Sequence, residues 1–249
     1  VWYRENKGSV ISASINKFCY VTLRYLPQFF EYKYCLRYYK REEKNSISEI
    51  EHPSIRECLR YLKIENGFEI VHYADLPAKS GLGSSSTFTV SMLHALNALN
   101  YKMPTKYSLA TDAIKVEQDL IGEAVGSQDQ TAAAFGGLNR IDFGGPREIN
   151  VTPIILNPKY LKKFEDHLAL FFTGFSRSAQ SIAKEQIKLT KHKAKELKTM
   201  IDLVETSQKS LINNNIEEMG DLLNEQWKLK KSMSNIITNS SIDDIYNKG

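Results

Sequence analysis

Two glycines, Gly81 and Gly83, separate a stretch with strand character from one with helical periodicity, and this constrains the chain's fold more than anything else in it. The segment reads Asp75-Leu76-Pro77-Ala78-Lys79-Ser80-Gly81-Leu82-Gly83-Ser84-Ser85-Ser86-Thr87, preceded by a strand-like Gly67 to Ala74 and followed by an apolar-periodic Phe88 to Leu99. Without a Cβ, the glycines let the backbone take positive φ and come close to a ligand. The serines then supply the first turn of a helix, where unpaired N–H groups and the positive dipole end favour an anion, phosphate above all. The string is not a Gly-x-x-x-x-Gly-Lys-Ser/Thr loop, and it lacks the third glycine and downstream acid of a dinucleotide fingerprint. On the glycines alone, an ordinary turn before a serine-capped helix is an equal reading.

With 249 residues the chain holds one large domain or two small ones, and 42% hydrophobic with 25% charged residues excludes wholesale disorder. A net charge of +4 suits an anionic small molecule but falls short of a nucleic-acid footprint. Cys19, Cys35 and Cys58 have no CxxC spacing and the five histidines no zinc pattern, so reduced thiols in a cytoplasmic protein are expected. No apolar run approaches the ~18 residues of a membrane span, and no signal peptide is visible. A start at Val1 and an end at Gly249 suggest a fragment of a longer protein.

Along the chain, Val10 to Leu26 alternates as two strands broken near Asn16-Lys17. Phe30, Tyr32, Tyr34, Leu36 and Tyr38 form a period-2 stripe that predicts a half-exposed antiparallel strand. Pro53 opens a helix with Ile55, Cys58, Leu59 and Leu62 on one face. Lys106 to Leu120 reads as a helix that turns Glu117 partly inward from an apolar face. An inward carboxylate is costly unless it is paired, binds a cation or reaches water at the edge of the face. Ser127 and Gln130 have the form of a capping box, which puts Asp129 in the first turn of a short helix, where the dipole favours the ionised form. Gly136-Gly137 ends that helix and Leu138 to Phe143 resumes as a strand. Gly144-Gly145-Pro146 is the expected domain boundary, with strands near Ile149 to Leu156 and Leu168 to Thr173 beyond it. A small turn from Thr173 to Ala179 leads into a long lysine-rich helix ending near Leu211; Asn213-Asn214-Asn215 breaks it before a partner helix, Ile216 to Met233.

Three of these segments, in order, resemble one family. Pro77 through Ser86 is similar to the phosphate-binding motif of the GHMP kinases, and Gly126-Ser127-Gln128-Asp129-Gln130 resembles the segment that holds their catalytic aspartate. Glu117 matches their magnesium-binding glutamate, and Ser85 the serine that completes that metal site. Asp129 to Asn139, Phe172 to Ala179 and Gly8 to Ile15 look most like the D-glycero-D-manno-heptose 7-phosphate kinase branch. The family's first strand with its substrate loop and its last glycine-rich strand have no counterpart here, which puts activity of this fragment in doubt.

The resemblance implies a two-domain α/β (α+β) fold. Residues 1–145 would form an N-terminal domain of mostly antiparallel sheet with helices, and 146–249 an incomplete C-terminal α+β domain, with ATP and sugar meeting between them. It implies ATP on Lys79, Ser80, Gly81, Leu82, Gly83, Ser84, Ser85 and Ser86, and Mg2+ on Ser85 and Glu117. Asp129 would face the anomeric hydroxyl of a sugar phosphate, whose distal phosphate would lie on Gly174 and Arg177. A solvated role for Lys79 is an equal reading. No nucleic-acid or membrane partner is implied, and oligomeric state is left open. Another sugar kinase of the fold, fucose-type for instance, or a catalytically silent sensor of sugar or nucleotide, are the alternatives.

Overall fold

The computed structural model describes residues 2–78, 80–144, 148–171, 173, 187, 189–234 and 236–248. Its elements begin with a short helix α1 (Trp2–Glu5), then β1 (Gly8–Ala13), β2 (Cys19–Tyr25), β3 (Tyr34–Arg37) and β4 (Arg41–Lys44). Helix α2 (Pro53–Tyr61), β5 (Phe68–Ala74), α3 (Ser84–Leu99), α4 (Lys106–Lys115) and α5 (Gln128–Phe135) follow. Then come β6 (Leu138–Phe143), β7 (Ile149–Pro153), α6 (Pro158–Asp166), α7 (Ala194–Ile212), α8 (Ile216–Met233) and α9 (Ser240–Lys248).

The chain divides into two compact units, Val1–Ser14 with Gly136–Gly249, and Ile15–Phe135. In the continuous unit, four strands lie in the order β2-β5-β3-β4, with β3 parallel to β5 and the other pairs antiparallel. Tyr34, Leu36, Phe68 and Ile70 from the sheet share one core with Ile55, Cys58 and Leu59 of α2, Met92, Leu93 and Leu96 of α3, and Ala113 and Val116. Helix α2 starts where the sequence places it: Pro53 occupies its first turn and the His52 ring accepts from Ile55 N at 3.4 Å. His72 packs edge-on against Phe88, with ring centroids 4.7 Å apart, consistent with a packed histidine.

The discontinuous unit has an antiparallel sheet in the order β1-β6-β7. Helix α7 packs on β1 and on α8. A small core joins Ile154, Phe164, Leu211 and Met219. The Asn213–Asn215 break and the following helix stand where the sequence puts them.

Two expectations fail. The stripe from Phe30 to Tyr38 yields only the four residues of β3, an interior strand in which Tyr34, Cys35 and Leu36 are all buried, so both of its faces are covered there. Phe29, Phe30 and Tyr32 instead stack on one another before it, at centroid distances of 4.7 and 5.5 Å. Residues 168–171 and 173 form no strand; Leu168, Leu170 and Phe171 are exposed. Before them stands α6, unexpected from the sequence although Asn157 caps it, Pro158 opens it and Tyr160 and Phe164 bury one face at i, i+4 spacing. The expected boundary at Gly145-Pro146 lies outside the described residues, and β6 and β7 on either side of it pair with each other.

Candidate active site in the continuous unit

The glycine segment adopts the backbone its sequence demands. Gly81 has φ +80° and Gly83 φ +71°, both in the left-handed region, and Gly83 is the N-cap of α3. A Cβ built at Gly81 would meet nothing within 4 Å, so the loop leaves open space there. Leu82 and Ser85 are exposed and Ser84 half-buried, so the first turn of α3, whose leading amides have no partner within the helix, is open to solvent. Ser80 Oγ is buried without a hydrogen-bond partner. Lys79 lies outside the described residues.

Glu117 reaches this turn from a different element. Helix α4 changes at Lys115 into a π-helical turn, Val116–Leu120, in which Ile121 N donates to Val116 O at 2.9 Å. Glu117 on that turn is 0% exposed. Its Oε2 accepts from Ser86 Oγ at 2.8 Å and from Gln130 Nε2, while its Oε1 has no hydrogen-bond partner. Burial holds the Glu117 carboxyl above the usual carboxylate range. The nearby Thr89 and Ser86 hydroxyls and the Gln130 amide oppose that rise, and the Asp129 charge adds to it.

Asp129 stands in the first turn of α5 and is exposed. Its Cγ would lie 3.3 Å from a Cβ built on Gly83, which ties the start of α5 to the start of α3. The capping box expected beside it does not close. Gln130 spends its Nε2 on Glu117, and its Oε1 is buried without a partner. Ser127 Oγ accepts from Gln118 Nε2 at 3.2 Å.

Three segments far apart in sequence thus converge. Gly83, Glu117 and Asp129 are brought together through Ser86 and Gln130, neither of which the sequence alone marks as part of the carboxylate's setting. The third serine of the Ser84-Ser85-Ser86 run is the one signal that could have found Ser86. Ser86 rather than Ser85 touches the Glu117 carboxylate. Gly174 and Arg177 lie outside the described residues.

The donor set fits a magnesium ion. A fully buried carboxylate with one oxygen uncommitted, beside serine hydroxyls and an amide-lined anion turn, is the combination of few hard oxygen ligands and phosphates that this ion takes. Among the described residues no group of three or more His, Cys, Asp or Glu side chains forms a metal cage, as zinc or a structural calcium would require. Among them, too, no helix is long and apolar enough to cross a membrane.

Residues 52–137 match the family described as GHMP kinases N terminal domain. Over 183 residues the chain is 31% identical to the D-glycero-alpha-D-manno-heptose 7-phosphate kinase of Campylobacter jejuni, covering 72% of this chain and 53% of that protein. It is 25% identical over 188 residues to the bifunctional fucokinase/GDP-fucose pyrophosphorylase of Arabidopsis thaliana, covering 72% of this chain and 18% of that one. A solved D-glycero-D-manno-heptose 1-phosphate kinase from Bacteroides thetaiotaomicron superposes with a TM-score of 0.76 at 24% identity, over 90% of this chain and 71% of that one. The last likeness speaks for the fold. The chain spans about half the length of the Campylobacter relative.

Proposed function

We propose that the protein is a GHMP kinase that transfers the γ-phosphoryl group of ATP to a hydroxyl of a sugar phosphate, supported by the match of residues 52–137 to that family's N-terminal domain. The observation that carries this reading is Glu117: a buried carboxylate, one oxygen unpartnered, joined through Ser86 to a glycine turn at a helix N-terminus. The substrate we infer is D-glycero-D-manno-heptose 7-phosphate, phosphorylated at its anomeric hydroxyl to the 1,7-bisphosphate as a precursor of surface polysaccharide. Support for that choice is the 31% identity to the Campylobacter enzyme. Such a reaction belongs in the cytoplasm, where ATP and sugar phosphates are found.

In this reading the Gly81 to Ser86 amides and the helix dipole hold the nucleotide's phosphates. Glu117, with Ser85 at the exposed start of α3, would hold Mg2+, which when bound neutralises phosphate charge. Asp129 orients the acceptor hydroxyl and takes its proton as the oxygen attacks the γ-phosphorus, the bond to the β,γ-bridging oxygen breaks and ADP leaves. Positioning and charge stabilisation carry most of the rate, as phosphoryl transfer requires. Lys79 would assist the phosphates. Arg177, with Gly174 beside it, would bind the sugar's 7-phosphate through a bidentate fork.

A fucose-type kinase is the second reading, favoured by the 25% identity to the Arabidopsis enzyme. The test is ATP turnover by the full-length protein across a panel of sugar phosphates and free sugars. Turnover with a heptose 7-phosphate supports the narrow reading. Turnover with another sugar alone keeps the kinase and removes the heptose. ATP binding without turnover on any sugar leaves a silent sensor and overturns both.

A further inference from the structure

We infer that Ser86 and Gln130 are positioning residues that decide which oxygen of Glu117 faces the cation; this rests on the kinase reading above. Both donate to the same oxygen, Oε2: Ser86 Oγ at 2.8 Å from the first turn of α3, and Gln130 Nε2 from the first turn of α5. Both side chains are buried, Ser86 at 5% and Gln130 at 0% exposure. The remaining hydroxyl nearby, that of Thr89, donates to Ser85 O at 3.2 Å. Oε1 is thereby left with no protein partner in a site where an unsatisfied oxygen is costly. Packing alone would be better served by one donor on each oxygen. Two donors on one oxygen and none on the other instead fix the carboxylate's rotation and reserve Oε1 for a ligand from outside the protein.

The arrangement also couples two sites. Gln130 directly follows Asp129, so the bond that orients Glu117 anchors the turn that carries the proposed base. Groups that hold a metal's ligand without touching the metal act in this way, and losing one typically weakens metal binding 10- to 100-fold.

The experiment uses the full-length protein and measures Mn2+ binding by loss of its free electron-spin signal, with and without a non-hydrolysable ATP analogue. Ser86→Ala and Gln130→Met are expected to weaken Mn2+ binding in the nucleotide complex by about tenfold each. Metal-free binding of the analogue should not change in Gln130→Met, and Ser86→Thr should recover most of the loss. A merely structural role would lower the melting temperature without moving the Mn2+ affinity of the folded variants. Should Gln130→Met not fold, the two Ser86 variants decide. Loss of Mn2+ binding in Glu117→Gln together with wild-type affinity in Ser86→Ala and Gln130→Met overturns this inference alone. Absence of nucleotide-dependent Mn2+ binding in the unmodified protein overturns the kinase reading, and this inference with it.

Discussion

The side chain of Asp129 stands so close to Gly83 that any side chain at position 83 would crowd it. A Cβ there would stand 3.3 Å from both Asp129 Cβ and Asp129 Cγ. The glycine therefore has two duties: it turns the backbone at φ +71° to begin α3, and it gives Asp129 room beside the glycine turn.

Gly83→Ala tests both. A left-handed backbone costs a non-glycine residue about 1–2 kcal/mol, and the new methyl must push Asp129 aside. Urea denaturation should show a loss of that size. Turnover should fall, by less than the roughly hundredfold that a 1 Å misplacement near the chemistry costs, because Asp129 must give by only a few tenths of an ångström. A variant of normal turnover would separate Asp129's position from its role.

Asp129→Asn keeps the shape that packs on Gly83 and removes the charge. Turnover should be abolished while ATP affinity, measured by calorimetry, stays nearly unchanged. Undiminished turnover would end the proposed mechanism.

Glu117→Gln should divide stability from activity. The native carboxyl is raised by burial, so the folded protein works against its charge, and an amide relieves that cost while still accepting from Ser86. The melting temperature is expected to hold or rise, and turnover to drop sharply. A large fall in melting temperature would mean that the carboxylate is there for stability.

His52 gives the protein an acid limit. Burial lowers its pKa to about 4, with the Glu42 charge pulling the other way. Between that value and an unfolded pKa near 6.5 the unfolded chain binds more protons. Stability is therefore full above about pH 6.5 and is lost as pH falls toward 4, by about 3 kcal/mol from this residue. Urea midpoints at pH 7 and pH 4.5 should differ accordingly, and less so in His52→Asn, which keeps a capping side chain for α2. Equal pH dependence in the two proteins would remove His52 as the cause.

The parts of the molecule that the sequence revealed were those with a local cause. Glycines at Gly81, Gly83, Gly136 and Gly137 need positive φ, and all four have it. Pro53 and the Asn213–Asn215 break mark helix ends by their own chemistry. What stayed hidden was decided at a distance. Gln130 follows a serine-capping pattern, yet its amide turns to Glu117, thirteen residues earlier in sequence, where a charge-assisted hydrogen bond to a buried carboxylate orients the side chain. Ser86 looks like one more serine in a capping run until α4 brings Glu117 against it. Leu168 to Phe171 shows the reverse failure. An apolar run carries no period of its own, and only a neighbouring strand could have made it one.

The Ser9 hydroxyl donates to Asp142 Oδ1 at 2.6 Å across 133 residues, and Ser14 N donates to Gly137 O at 3.0 Å where the two chain segments meet again. Everything from Ile15 to Phe135 is thus an excursion that leaves and returns at one place. During synthesis β1 emerges well before β6, so their pairing has a very high contact order and is slow if the intervening chain is unstructured. Once the excursion has collapsed, its two ends lie side by side and most of the closure entropy has been met in advance. Folding of the continuous unit then brings the two ends of the β1-β6-β7 sheet's chain together. A lesion deep in that unit would strand β1 as an unpaired edge open to other chains.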